Sequence, residues 1–173
     1  GLPERALWKE RRESEEGWTM FELEPELAHD YGGQDDLAIA TTLAPEMLKC
    51  FLRGQPFSSL RFSRHGERFA FLKLHCEGVE AEARLSSRRD LEDRLVDALC
   101  TAGLGTVVGT GLGVRYAYVD LALANLDAAV ERVRAIARDA RVSPRSWLLF
   151  CDGDLGAEWV GIWDDTPPPP FVR

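Results

Sequence analysis

The residues of this chain that could do chemistry fall into a few groups. Asp152–Gly153–Asp154 and Asp164–Asp165 put carboxylates close enough in sequence to hold a divalent cation or to act as an acid–base pair. The calcium-loop pattern D-x-[DN]-x-[DN]-G fails here, because Gly156 stands at the third ligand place. Asp and Gly are ordinary turn formers, so a turn between two strands is expected and no metal. His75–Cys76 is the one place where two potential ligands of different type adjoin. Neighbours on a strand point to opposite faces, so one ion could not use both. Ser58–Ser59, Ser63 and His65 are close in sequence, but no G-x-S-x-G frames a nucleophile and closeness along a hairpin is not a triad. No catalytic residue is assigned and no cofactor is expected.

Gly103, Gly105, Gly109, Gly111 and Gly113 invite comparison with a phosphate-binding loop. Such loops follow a strand and open a helix, so that the helix N-terminus meets the anion. Here the glycines follow a helical pattern and precede a strand pattern, and Val114 stands where the last glycine of the motif belongs. A hairpin or bulge between Leu104–Val108 and Arg115–Leu123 is expected instead, with Gly109, Gly111 and Gly113 as a candidate ligand loop. In Arg115–Leu123, Tyr116, Tyr118 and Asp120 alternate with Ala117, Val119, Leu121 and Leu123. The aliphatic side should meet helices and the tyrosines should lie on the other face, joined there by Trp147 and by Trp159 or Trp163. That face either packs against the first half of the chain or meets a partner protein, whose interfaces favour Tyr and Trp.

Composition narrows the class. Lys and Arg total 21 against 29 Asp and Glu, a formal charge of −8, and 45% of residues are apolar. These values suit a globular chain with a core of its own and argue against disorder. No apolar run approaches the roughly 20 residues of a membrane helix. Phosphate binding needs a basic face, and the 18 Arg are spread along the chain, with Arg88–Arg89 flanked by Asp90, Glu92 and Asp93. No nucleic-acid partner is expected. The excess of 18 Arg over 3 Lys is a GC-rich codon signature and points to a bacterial source. Cys50, Cys76, Cys100 and Cys151 stand far apart among apolar neighbours, as free cysteines of a cytoplasmic protein do.

These groups need elements to position them. Residues 1–16 are densely charged and read as an arm or solvated helix. Residues 17–78 read as a β-rich half with one short helix: strands Trp18–Leu23 and Leu37–Thr42, a Gly- and Asp-rich turn over Tyr31–Asp36, a helix Pro45–Leu52, and a hairpin of Ser59–Arg64 with Arg68–His75 turning at His65–Gly66. In residues 79–165, Val79, Ala81, Ala83 and Leu85 alternate with Glu80, Glu82 and Arg84 as in a half-buried strand. Ser87 can cap a helix carrying Leu91, Leu95, Ala98, Leu99 and Ala102, which ends at Gly103. Asn125 can cap the next helix, with Leu126, Ala129, Val130, Val133, Ile136, Ala137 and Ala140 on its buried side. Strands Ser146–Cys151 and Glu158–Trp163 follow, and residues 166–173 read as a Pro-rich tail.

The order from Val79 to Cys151 is strand, helix, strand, strand, helix, strand. It predicts an α+β fold with a ferredoxin-like split β-α-β over about residues 79–151, and a β-rich N-terminal half that extends or covers the sheet. The segment DLEDRLVDALCTAGLGTVVGTGLGVRYAYVDLAL, about 35 of the 173 residues, resembles small ferredoxin-like immunity-type proteins of bacterial toxin systems. Its carriers are Leu91, Leu95 and Leu99, the Gly103–Gly113 connection, and Tyr118–Val119–Asp120–Leu121. The resemblance implies an acidic, non-catalytic protein that neutralises a basic toxin by tight binding. Glu80, Glu82, Tyr116, Tyr118 and Asp120 are the candidate partner contacts on the open face. A small-molecule sensor or small enzyme of the same fold class, with its pocket at the glycine hairpin, is the alternative. A subunit self-assembling through a free sheet edge is a third reading.

Overall fold

The computed structural model describes residues 17–25, 32–63 and 65–170. The arm expected over residues 1–16, Tyr31 of the first turn and residues 171–173 of the tail lie outside the described residues. The fold is α+β: among the described residues seven strands form one antiparallel sheet, with three helices. In chain order the elements are β1 (Thr19–Glu22), β2 (Leu37–Thr42), α1 (Pro45–Leu52), β3 (Arg68–His75), α2 (Ala81–Ala102), β4 (Gly105–Gly113), β5 (Tyr116–Leu123), α3 (Leu126–Asp139), β6 (Ser146–Phe150) and β7 (Trp159–Gly161). In space the strands run β1-β2-β4-β5-β3-β6-β7. The sheet is not divided at residue 78, since β3 lies between β5 and β6.

Alternation along the central strands sorts the side chains to two faces. Ala70, Leu72 and Leu74 of β3, Ala117, Val119, Leu121 and Leu123 of β5, and Leu148 of β6 meet α2 and α3. Leu91, Leu95 and Leu99 recur every four residues along α2, and Ala129, Val133 and Ala137 do the same on α3, so each helix lays one stripe on the sheet. Each fully buried leucine contributes roughly 1.5–3 kcal/mol, which outweighs the weak intrinsic helix preferences of the polar outer faces. On the opposite face Phe71, Tyr116, Tyr118, Trp147 and Leu149 pack with Leu48 of α1 and Leu37, while Met47 of α1 packs with Phe69, Val108 and Ala122. Thus β1 and β2 extend the sheet beside β4, and α1 covers its second face.

Four local expectations are corrected. Val79–Leu85 is not a strand: the chain turns at Gly78 (φ +83) and α2 begins at Ala81. Ala, Glu, Arg and Leu are strong helix formers, and a short alternation of such residues fits either period. Ser87 therefore lies inside α2, and the strand that precedes α2 in the chain is β3. Of the strand expected over Ser59–Arg64, Arg64 lies outside the described residues and Ser59–Ser63 does not pair with β3; Ser59–Arg61 is a 3-10 turn held by Asp152, which accepts from the Ser59 backbone N–H at 2.6 Å and from its hydroxyl. The glycine run is not a hairpin loop: Gly109, Gly111 and Gly113 are buried inside β4, which turns into β5 through Val114–Arg115. A bulge at Val108 shifts the register between β4 and β5. Asn125 occupies the N-cap of α3 without a side-chain cap bond, its φ of +49 making it a turn residue.

The last strands differ in a smaller way. Trp147 joins the tyrosine face, 6.3 Å from the Tyr116 ring, but Trp163 packs on the helix face and Trp159 is 40% exposed. The Trp147 indole N–H donates to the Pro167 carbonyl at 2.6 Å, so the start of the proline run is tied to the sheet.

Candidate functional site

The tyrosine face is closed by a buried polar network before any pocket forms. Asp36, in the turn before β2, accepts from the backbone N–H groups of Arg115 at 2.9 Å and Tyr116 at 3.0 Å, and from the Tyr118 hydroxyl. Burial, reinforced by the Asp36 charge, pushes the Tyr118 phenol well above its ordinary pKa. Gly113 makes room for this carboxylate: a Cβ there would stand 2.2 Å from Asp36 Oδ2. Lys73 of β3 is fully buried, with its ammonium donating to the Gly33 carbonyl at 2.8 Å and lying 4.2 Å above the Tyr116 ring. The segment from Gly33 to Asp36 is thereby fixed across the sheet, and it carries Gln34 into place.

Beside this network, under α1, is a cavity of about 260 Å³. Phe71, Asp120 and Leu149 of adjacent strands floor it; Met47, Leu48 and Phe51 of α1 form one wall; Gln55–Phe57 and the segment around Cys151–Gly153 form another. It sits just below the usual range of roughly 300–1,000 Å³ for ligand pockets, and its apolar lining with few polar groups has the usual character. Asp120 lies opposite Phe71 of β3 and Gly109 of β4. A Cβ on Gly109 would come 2.6 Å from Asp120 Oδ2, so glycine is what admits the carboxyl there.

Burial raises the pKa of Asp120 to about 6, while the 2.8 Å hydrogen bond donated by the Gln34 amide pulls it the other way. At neutral pH the group is ionised in an apolar cavity. Asp152 and Glu158 also line the cavity, and among the described residues no Lys, Arg or His does. Asp152 is held by Ser59, with Arg68 at 3.7 Å. Cys151 lines the wall, but burial first, then Asp120 and Asp152, drive its thiol pKa far up, which leaves almost no nucleophilic thiolate. The arrangement is suited to holding a cation-bearing ligand.

The five candidate partner contacts do not come together as one surface. Tyr116 and Tyr118 are each 1% exposed and Asp120 is 9% exposed, all under the cover supplied by the first half of the chain. Glu80 and Glu82 are exposed at the start of α2, away from the sheet face. None of Gly109, Gly111 and Gly113 lines the cavity, which lies next to β4 rather than in a glycine loop. Elsewhere, Ser63 donates to Glu67 at 2.9 Å and His65 is exposed, so the serines build no triad with it. Asp164 is paired with Arg138 at 2.9 Å and with Arg134 at 3.5 Å. His75 stacks edge-on to Tyr116 while Cys76 packs against the helix-face core, on opposite sides as the spacing requires.

Sequence reasoning found Asp120 but missed Gln34, Phe71, Phe51 and Cys151. The alternation of Phe69 and Phe71 put both on one side of their strand, and the Pro45–Leu52 helix was visible; that the strand pairs with β5 and the helix covers that side was not. No protein-family model matches this chain, and neither does any curated protein or solved structure.

Proposed function

We propose that the protein is a non-catalytic binding protein whose ligand is a small, largely apolar molecule carrying an ammonium or similar cation, held under α1. The observation that carries this is Asp120: a carboxyl with a pKa of about 6, 9% exposed, at the floor of a cavity whose described lining holds carboxylates and no basic residue. A ligand cation would give the buried carboxylate a charged partner, where among the described residues the Gln34 amide donates to it. Phenethylamine and its neutral isostere 2-phenylethanol are the discriminating probes. The amine is expected to bind more tightly from pH 5 to pH 7.5 as Asp120 ionises, and Asp120→Asn should weaken it about tenfold or more, the usual worth of a charge-assisted hydrogen bond. Equal binding of amine and alcohol, or an unchanged affinity in Asp120→Asn, rejects the reading.

For the architecture, the chain order β3-α2-β4-β5-α3-β6 together with the sheet order β4-β5-β3-β6 supports a ferredoxin-like split β-α-β core over residues 68–150. A basic protein partner, as the resemblance to immunity-type proteins implies, is the second reading. It rests on the exposed pair Glu80 and Glu82 in a chain of net charge −8. Recovery of one basic protein with the tagged chain, lost on reversing both charges, supports it; a partner that still binds the reversed variant, or none at all, removes it.

A further inference from the structure

The second cavity of interest lies on the other face of the sheet, between the first turns of α2 and the end of α3, and measures about 320 Å³. Its floor is Leu74, Leu91 and Ala117, and Arg84, Arg88 and Arg141 line it. Arg84 is fixed by carbonyls: its Nε donates to Val79 at 2.7 Å and one terminal nitrogen donates to Val114 at 3.0 Å. Arg88 Nε is buried with no hydrogen-bond partner among the described residues. Burial lowers the Arg88 pKa, opposed by Glu92 one turn along and aided by Arg89. Among the described residues none of these three guanidinium groups stands in an ion pair. Asp90, the one carboxylate among the described lining residues, is paired with Arg94 at 3.1 Å.

Arg141 adds an independent observation. It follows α3 with φ +56, a left-handed conformation that glycine adopts at no cost. Its N–H donates to Arg138 O at 3.0 Å, and the next N–H, of Val142, donates to Ala137 O at 3.3 Å. The same closure ends α2, where Gly103 N–H donates to Cys100 O and Leu104 N–H to Leu99 O, with Gly103 at φ +67. One helix uses glycine for this turn; the other places a guanidinium at the cavity.

We propose that this cavity is a second binding site, for a small oxyanion carried on an apolar body, with Arg88 and Arg141 meeting the oxygens and Leu74, Leu91 and Ala117 beneath the body. Orphaned Arg88 Nε finds its acceptor in such a ligand, and planar guanidinium groups suit phosphate and carboxylate alike. The inference does not depend on the ligand of the first cavity.

Phenyl phosphate and benzoate, titrated calorimetrically at low salt and again at matched added chloride, test it on the full chain. One-to-one saturable binding of either is expected, and whichever binds names the oxyanion. Arg88→Met, which keeps the aliphatic stem, should weaken it about tenfold or more, the worth of a charge-assisted hydrogen bond. Arg141→Gly should weaken it too while leaving the helix closure in place, so it decides the matter if Arg88→Met fails to fold. No saturable binding to the native chain, or native affinity in Arg141→Gly, overturns the proposal.

Discussion

Strand β5 feeds both cavities from alternate residues. Asp120 projects to the α1 face, into a cavity where the described lining holds carboxylates and no basic residue; Ala117, three residues earlier, floors a cavity on the α2–α3 face that is lined by Arg84, Arg88 and Arg141. The two differ in how their charges are set. Asp120 stands on a central strand whose register with Phe71 and Gly109 leaves it little freedom, and it is buried. The arginines stand on helix turns and a helix end, with long stems that reach the cavity from its rim. A sheet gives a charge a fixed place at the cost of desolvation, whereas helix ends supply charge at the edge of the solvent. The first arrangement suits recognition coupled to protonation, and the second suits attraction of an anion with little pH dependence, since guanidinium stays charged.

The largest break in this comparison should come at Asp36. Replacing it with Ala strips the acceptor from the part-buried Arg115 N–H and from two buried donors, the Tyr116 N–H and the Tyr118 hydroxyl. A loss of about 3 kcal/mol or more is expected from these unmet donors. Urea unfolding checks it; a loss under about 1 kcal/mol would show that the turn before β2 does not hold the cover of the first cavity. The second cavity, built on α2 and α3, contains no group of that network.

Next in size is the pH dependence that Asp120 confers. Its folded pKa, about 6, lies above the ordinary value of 3.8, so the native state binds more protons than the unfolded chain between those values. Stability should therefore fall as pH rises from about 4 to 6, by about 3 kcal/mol at most at roughly 1.4 kcal/mol per pKa unit. Asp120→Asn removes that slope, and the difference between the two unfolding free energies across pH isolates it. A difference that stays constant with pH would place Asp120 in contact with water rather than in an apolar cavity.

The smallest expected change is in the stability of Arg141→Gly. Relief of the left-handed conformation favours glycine by up to about 1 kcal/mol, partly offset by the loss of a cation at the helix C-terminus. A melting temperature at or slightly above the native value, together with weaker oxyanion binding, would separate a ligand role from a structural one. A marked drop in melting temperature would instead make the Arg141 side chain a structural part of the turn.

Much of the fold was legible from residue pattern. The helix over Pro45–Leu52, the stripe of Leu91, Leu95 and Leu99, the glycine end of α2 at Gly103, and the two faces of β5 all follow from periodicity and turn chemistry. The pattern misled where residues fit two states. Glu80–Leu85 alternates like a strand but consists of helix formers, and the preceding turn at Gly78 decided for the helix. Ser59–Arg64 alternates too, but Asp152, 93 residues away, holds Ser59 out of the sheet.

The site was less legible. The sequence by itself determined that Tyr116, Tyr118 and Asp120 share one face of a strand, because alternation is a local property of extended backbone. It also determined the acidic balance, −8 overall, and the scatter of arginines. Tertiary structure alone decided that this face is covered, that Gln34 reaches Asp120 across 86 positions of chain, and that the glycines of β4 serve as clearance for Asp36 and Asp120. It alone gathered Arg84, Arg88 and Arg141 around one cavity. The physical reason is the same in each case: local pattern fixes which way a side chain points, but burial, pKa and the company of distant charges depend on what the rest of the chain packs against it.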